Sequence, residues 1–207
     1  MDEHNSTVIE WRVPQGTPAN WLMGAGSTQA ERSVMWTGSL AGVALVGVLA
    51  VRGEPGGWAA WQYLLAAVLA WDLFGGAVSN ASNSTKRQYF GPDFAGAGGV
   101  GRIVRRPIVF TALHVYPFLI VALFPGGSWA WAAVMYGIAL GGATVVDRLV
   151  PRYLQRPVAM LVFVAALLVT PFLAAPPGWA WFPVVYLAKL VLAHAVCEEP
   201  YRPAAGI

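Results

Sequence analysis

The stretch Trp71-Asp-Leu-Phe-Gly-Gly-Ala-Val-Ser-Asn-Ala-Ser-Asn-Ser-Thr-Lys-Arg87 carries an apolar helix into a face that is polar on one side and then into a basic connection. At about 100° per residue, Asp72, Gly76, Ser79, Asn83 and Lys86 fall within roughly a quarter turn of one another. A carboxylate inside an apolar span needs a partner, a cavity or a proton, because burying it alone is costly. This face is the candidate site, and the class of the surrounding chain decides what the site can do.

The chain has 207 residues, of which 57% are hydrophobic and 11% charged, with a mean hydropathy of +0.56. A soluble domain carries about 25% charged residues, so this composition belongs to an integral membrane protein. Six apolar windows approach the ~17–25 residues that cross a bilayer: Ser33–Val51, Trp58–Asn80, Pro107–Phe124, Ser128–Val146, Pro157–Ala174 and Trp179–Cys197. Three connections share one pattern, Pro55-Gly-Gly-Trp-Ala-Ala-Trp61, Pro125-Gly-Gly-Ser-Trp-Ala-Trp131 and Pro176-Pro-Gly-Trp-Ala-Trp181. Each is a Pro/Gly turn followed by two tryptophans, which reads as an aromatic belt at one membrane face. The fold expected is an all-α polytopic membrane bundle of about six transmembrane helices arranged as three hairpins. Residues 1–32 form a cytoplasmic cap, 33–199 the transmembrane domain and 200–207 a cytoplasmic tail.

Orientation follows from basic residues, which are retained on the cytoplasmic side. Lys86, Arg87, Arg102, Arg105, Arg106, Arg148, Arg152 and Arg156 gather at one end, against Arg52 at the other. The expected location is the cell membrane with both termini cytoplasmic. The net charge of +3 is explained by this topology and by anionic headgroups, so membrane lipid is the expected partner and nucleic acid is not. The acidic start Met1-Asp2-Glu3 differs from a cleaved signal peptide, and the single Cys197 has no partner for an intrachain disulfide. The small-residue spacings Gly38–Gly42 and Gly137–Gly141 let helices approach closely, inside the bundle or between copies of the chain.

Measured from the tryptophan face at 1.5 Å per residue, Asp72 lies about 16 Å inward of Trp61, near the middle of the bilayer. Lys189 is at a similar depth and reaches Asp72 if the second and sixth helices touch. A salt bridge is therefore one reading of Asp72, and a catalytic or proton-carrying group is the other. On an α-helix Lys189 points about 140° away from His194, so the two should not serve one pocket. In the third span, Pro117 displaces the carbonyl of Leu113 and bends the helix beside His114, whose ring titrates near neutral pH. His194 and Glu198 are four apart, the spacing at which a carboxylate orients an imidazole or both hold a divalent metal. The long connection Asn80–Arg106 contains Gly96-Ala-Gly-Gly-Val-Gly101, a formal G-x-G-x-x-G that lacks the strand and βαβ context of a dinucleotide site.

The ionisable groups gather toward the cytoplasmic end, while the outer half is nearly all apolar. A cavity open at one end suits an amphipathic substrate and does not suit a continuous channel. The leading expectation is a membrane-embedded enzyme using acid/base chemistry on a lipid or isoprenoid, by protonation-initiated cyclisation or isomerisation. Asp72, His114, His194 and Glu198 are the candidate catalytic groups, and Asn80, Asn83, Lys86 and Arg87 are the candidates for holding the polar end of the substrate. No metal site and no cofactor are expected. Haem b held by His114 and His194, or a divalent ion at His194 and Glu198, are the alternatives. A proton-coupled transporter and a structural subunit of a membrane complex are the other function classes. A small helical bundle with isolated intramembrane carboxylates and no metal box resembles, in architecture alone, the small membrane-embedded terpene cyclases, whose acid groups protonate an isoprenoid.

Overall fold

The structure, a computed structural model, describes residues 7–53, 57–93 and 99–203. Most of the chain is helical: α1 Gln29–Gly53, α2 Ala60–Ala81, α3 Asn83–Phe90, α4 Val100–Val104, α5 Pro107–Leu113, α6 Tyr116–Leu123, α7 Trp129–Thr144, α8 Arg152–Val169 and α9 Phe182–Leu187. π-helical turns extend α7 over Val145–Leu149 and α9 over Ala188–His194, and a 3-10 turn extends α8 over Thr170–Phe172. Four of these helices are long and apolar enough to cross a membrane, at Gln29–Arg52, Ala60–Ala81, Trp129–Leu149 and Arg152–Phe172. Pro107–Leu123 and Phe182–His194 are shorter apolar helices, so the six windows of the sequence are not six equivalent spans.

Packing follows the small residues. Gly38 and Gly42 of α1 face Val78 and Phe74 of α2, and Gly75 of α2 faces Ser39. The Gly38–Gly42 spacing is thus used within the chain. A methyl group added at Gly137 or Gly141 would meet nothing among the described residues, which leaves that face of α7 outside the bundle. The core runs between α2, α7 and α9, where Leu73, Met135, Ala139, Tyr186, Leu187 and Leu190 are fully buried.

The third apolar window is broken where proline requires it. The α-helix stops at Leu113, His114 and Val115 leave helical geometry, and α6 restarts at Tyr116. Carbonyls at the break are taken up by tyrosines: Tyr136 Oη donates to Ala112 O at 2.9 Å and Tyr186 Oη to His114 O at 2.7 Å. Such partners replace the missing helical bonds.

At the tryptophan end the belt reading holds only in part. Trp61 and Trp129 are exposed, but Trp131 and Trp179 are fully buried and Trp181 nearly so. Trp58, Phe124 and Trp179 form one cluster with ring centroids 4.7–5.8 Å apart. Four of the six repeated tryptophans, Trp58, Trp131, Trp179 and Trp181, therefore pack inside the protein.

The opposite end holds the largest departure from the sequence reading. The polar segment Ser84–Tyr89 is a buried part of a helix instead of a surface connection. Gln88 binds the N-terminal segment on three sides, with Oε1 accepting from Asn20 N and Ala25 N at 2.9 and 2.8 Å and Nε2 donating to Asn20 O at 3.1 Å. Ser84 Oγ donates to Met23 O at 2.9 Å, and Ser84 N donates to Glu31 Oε1 at 2.9 Å. Glu31 also closes a capping box with Thr28 at the start of α1. The expected cap and tail meet here as a two-stranded antiparallel sheet, β1 Thr7–Ile9 with β2 Tyr201–Pro203. The fold is therefore not purely α, and both ends of the described chain lie at the arginine-rich end. Of the glycine motif in the long connection, Gly96–Gly98 lie outside the described residues.

Gly24 fixes the approach of the N-terminal segment to α3. Its φ is +75°, and an added Cβ would stand 2.4 Å from Ser84 C and Thr85 N. Gly24→Ala should therefore lower stability by at least about 1–3 kcal/mol, read as a reduced unfolding midpoint in detergent. A midpoint equal to that of the wild type would contradict this docking.

Candidate functional site

Asp72 lies on α2 facing the last helix. Lys189 Nζ meets Asp72 Oδ2 at 2.6 Å, and Tyr116 Oη donates to the same oxygen at 3.1 Å. Gly76 makes the approach possible, because a Cβ there would be 2.5 Å from Lys189 Cε. Lys189 has a side chain only 3% exposed, whereas that of Asp72 is 40% exposed. The pair is thus asymmetric: the ammonium is enclosed and the carboxylate has an open side.

That open side faces a pocket of about 80 Å³ between α1, α2 and the N-terminal segment. Trp36, Trp71, Met23 and Met35 supply its apolar walls, and Trp36 meets Trp71 edge-on at 5.2 Å. Ser39 and Ser79 also line it, but their hydroxyls donate to Met35 O and Leu22 O. Among the described residues, Asp72 Oδ1 accepts no hydrogen bond. It is the carboxylate oxygen without a protein partner among the described residues, on a side chain that lines this pocket.

Of the face read from the sequence, Asp72, Gly76 and Ser79 share this place, while Asn83 and Lys86 do not. The α-helix stops at Ala81, and Ser82, at φ −71° and ψ 149°, caps a new helix by accepting from Thr85 N. Helical periodicity cannot be carried through an extended residue. Asn80 is buried with Nδ2 unpartnered, and Asn83 Oδ1 accepts from Tyr201 N at 3.0 Å. Lys86 is enclosed and donates to Ala193 O and Val196 O at the end of the last helix. Arg87 is also buried and donates to Tyr201 O at 3.2 Å. These four side chains do not line the pocket at Asp72, and three of them tie chain segments together.

The histidines sit elsewhere than their spacing implied. His114 Nδ1 lies 2.7 Å from Phe110 O, and its ring is 5.1 Å from that of Tyr116. His194 is fully buried and stacks on Phe110 at 4.0 Å, with the backbone of Val104 beside it. Lys189 Nζ lies 5.6 Å from the centroid of that same Phe110 ring. Lys189 and His194 therefore meet one aromatic ring, contrary to the α-helical reading. The reason is the π-helical segment Ala188–His194, whose i→i+5 bonds bring residues five apart toward one face.

His194 and Glu198 do not form a pair. The helix has ended by Ala195, and Glu198 Oε1 instead accepts from Arg156 Nε at 2.7 Å. This arrangement gives a divalent ion no His194–Glu198 site. A haem between His114 and His194 does not fit either, since Phe110 occupies the interval, 4.3 Å from one ring and 4.0 Å from the other. Among the described residues no three His, Cys, Asp or Glu side chains are grouped to hold a metal. Tyr116 was missed by the sequence reading; its place beside Pro117 in a broken span was the available signal.

The chain matches no family model, no curated protein and no solved structure. Its chemistry therefore has to be argued from this geometry alone.

Two predictions follow from the enclosed cations. Asp72→Asn strands Lys189 without its counter-charge and should cost about 3–5 kcal/mol, whereas Lys189→Met leaves a carboxylate that already faces the pocket and should cost less. The double variant should recover most of the loss in an unfolding titration; single costs that simply add would contradict the pair. Lys86 is the second case: burial lowers its pKa from 10.5 to about 8. The unfolded chain then holds more protons between these values, so stability should rise with pH across that window. Measured against Lys86→Gln, the wild type should gain stability from about pH 8 to about pH 10.5, and parallel curves would contradict this.

Proposed function

We propose that the chain is a membrane-embedded enzyme performing acid/base chemistry on an amphipathic lipid or isoprenoid at Asp72. The observation that carries this reading is that Asp72, with only Oδ2 engaged among the described residues, lines a pocket where the neighbouring hydroxyls are already engaged. Lys189 and Tyr116 hold the other oxygen in place, and in this reading Asp72 acts first as a base. Its proton comes from the substrate and returns to another atom of the same molecule, giving an isomerisation that needs no co-reactant. In the other order Asp72 first protonates the substrate, as expected from the sequence, and recovers a proton from another of its atoms, so both orders give the same isomerisation. His114, beside Tyr116, is the positioning group of this site; His194 reaches it only through Phe110, and Glu198 lies apart.

Pocket size supports a lipid-like substrate. A space of about 80 Å³ admits the reacting end of a molecule and leaves the rest outside. Met35 also walls an apolar groove of about 620 Å³ between α1 and α2, with Val34, Ala77 and Val78, where a chain can lie. In this reading Pro107–Leu123 and Phe182–His194 complete six crossings paired as hairpins. The arginine-rich end and both termini face the cytoplasm of the cell membrane.

The test compares membrane lipids from cells expressing the wild type and Asp72→Asn/Lys189→Met, a double variant expected to stay folded. Mass spectrometry with isotope labelling should reveal a species formed only with the wild type. Identical lipid profiles with equal protein levels would overturn the reading. The Asp72–Lys189 ion pair favours one alternative, a proton-coupled carrier. Proton or solute flux in wild-type liposomes, lost in the double variant, would establish that class instead.

A further inference from the structure

A second cavity lies at the arginine-rich end of α8 and shares no lining residue with the pocket at Asp72. It measures about 520 Å³ and is walled by α8, the segment Val196–Tyr201 and Trp11. Its frame is fixed by hydrogen bonds: Cys197 N donates to Gln155 Oε1 at 2.8 Å, Arg156 binds Glu198 at 2.7 Å, and Glu10 N donates to Pro200 O at 2.9 Å. Two further charges line the same cavity, Arg152 and Glu199. Both residues are exposed, and among the described residues neither side chain has a hydrogen-bond or ion-pair partner. Trp11 and Tyr153 add aromatic surface beside them.

An unpaired cation and an unpaired anion in one pocket complement a molecule that carries both charges. The position of the pocket indicates where that molecule resides. Beyond the polar first turns of α8, Met160, Leu161, Val164 and Leu168 are 48–69% exposed on a helix that is long and apolar enough to cross a membrane. Arg152 lies eight residues before Met160, about 12 Å along the axis, which is the headgroup level next to the acyl layer. We propose that this pocket binds the headgroup of a zwitterionic membrane phospholipid bearing a primary amine. Arg152 takes the phosphate, Glu199 takes the ammonium, and the acyl chains follow the exposed apolar side of α8. Guanidinium suits phosphate oxygens, and a carboxylate accepts hydrogen bonds from a primary ammonium that a quaternary one cannot donate. The Arg156–Glu198 pair stays closed.

Native mass spectrometry of the purified full chain tests this with phosphatidylethanolamine, phosphatidylcholine and phosphatidylglycerol of identical acyl chains. The wild type should retain phosphatidylethanolamine about tenfold over each of the others. Arg152→Gln should reduce its retention, and Glu199→Gln should erase the preference over phosphatidylglycerol. Equal retention of the three lipids, or unchanged selectivity in both variants, would overturn the proposal. Soluble phosphoethanolamine separates a lipid site from a metabolite site: it should displace the lipid only at large excess. Displacement at equal concentration would also overturn the lipid assignment. Neither variant touches Asp72, so this result stands or falls independently of the enzyme reading.

Discussion

The interior of this bundle is organised by one constraint, that an ammonium enclosed among apolar helices must meet a carboxylate. Lys189 can satisfy it only by crossing α2 at Gly76 and reaching Asp72 one turn away. That requirement fixes how α2 and the last helix face each other. It also explains why a glycine occupies the crossing point, since any side chain there would occupy the path of the lysine. Tyr116 joins the pair because the break at His114 and Val115 lets α6 restart at the right depth. The function proposed for the site uses the asymmetry of this arrangement, with an enclosed ammonium and a partly exposed carboxylate that lines a pocket.

A different solution operates at the arginine-rich end. Lys86 and Arg87 donate to backbone carbonyls, and among the described residues neither forms an ion pair with a carboxylate. Carbonyls at the end of a helix carry partial negative charge, and Lys86 caps them from the side. The energetic cost of enclosing this ammonium appears as its lowered pKa, with desolvation as the largest cause and Glu198 offsetting part of it. Burying α3 links the N-terminal segment, the start of α1 and the C-terminal strand. The polar end of the chain is thus a structural clamp, and the pocket at Asp72 lies beneath its residues Leu22 and Met23.

Much of the architecture is legible in hydropathy, because the four long apolar helices exceed what any soluble core requires. The break near His114 is legible too, since proline cannot donate to the helical ladder. The Asp72–Lys189 contact follows from depth and charge, as one of two readings of Asp72. Other features escape for definite reasons. Ser82 ends one helix and starts another through a local torsion, and nothing in the spacing of Asn83 and Lys86 reveals it. Lys189 and His194 share a ring because their segment is π-helical, a departure that residue periodicity alone does not announce. The buried tryptophans were misjudged because an amphipathic ring suits either an interface or a tight turn.

Solid-state NMR in lipid bilayers addresses the central contact directly. The chain contains two lysines, Lys86 and Lys189, so 15Nζ-lysine with 13Cγ-aspartate labelling gives few signals to assign. The structure requires strong dipolar dephasing of the Lys189 nitrogen by the Asp72 carboxyl carbon, and weaker dephasing of Lys86, which pairs with no aspartate among the described residues. Absence of dephasing at Lys189 in folded, bilayer-embedded protein would contradict the contact on which the helix arrangement and the proposed site both rest.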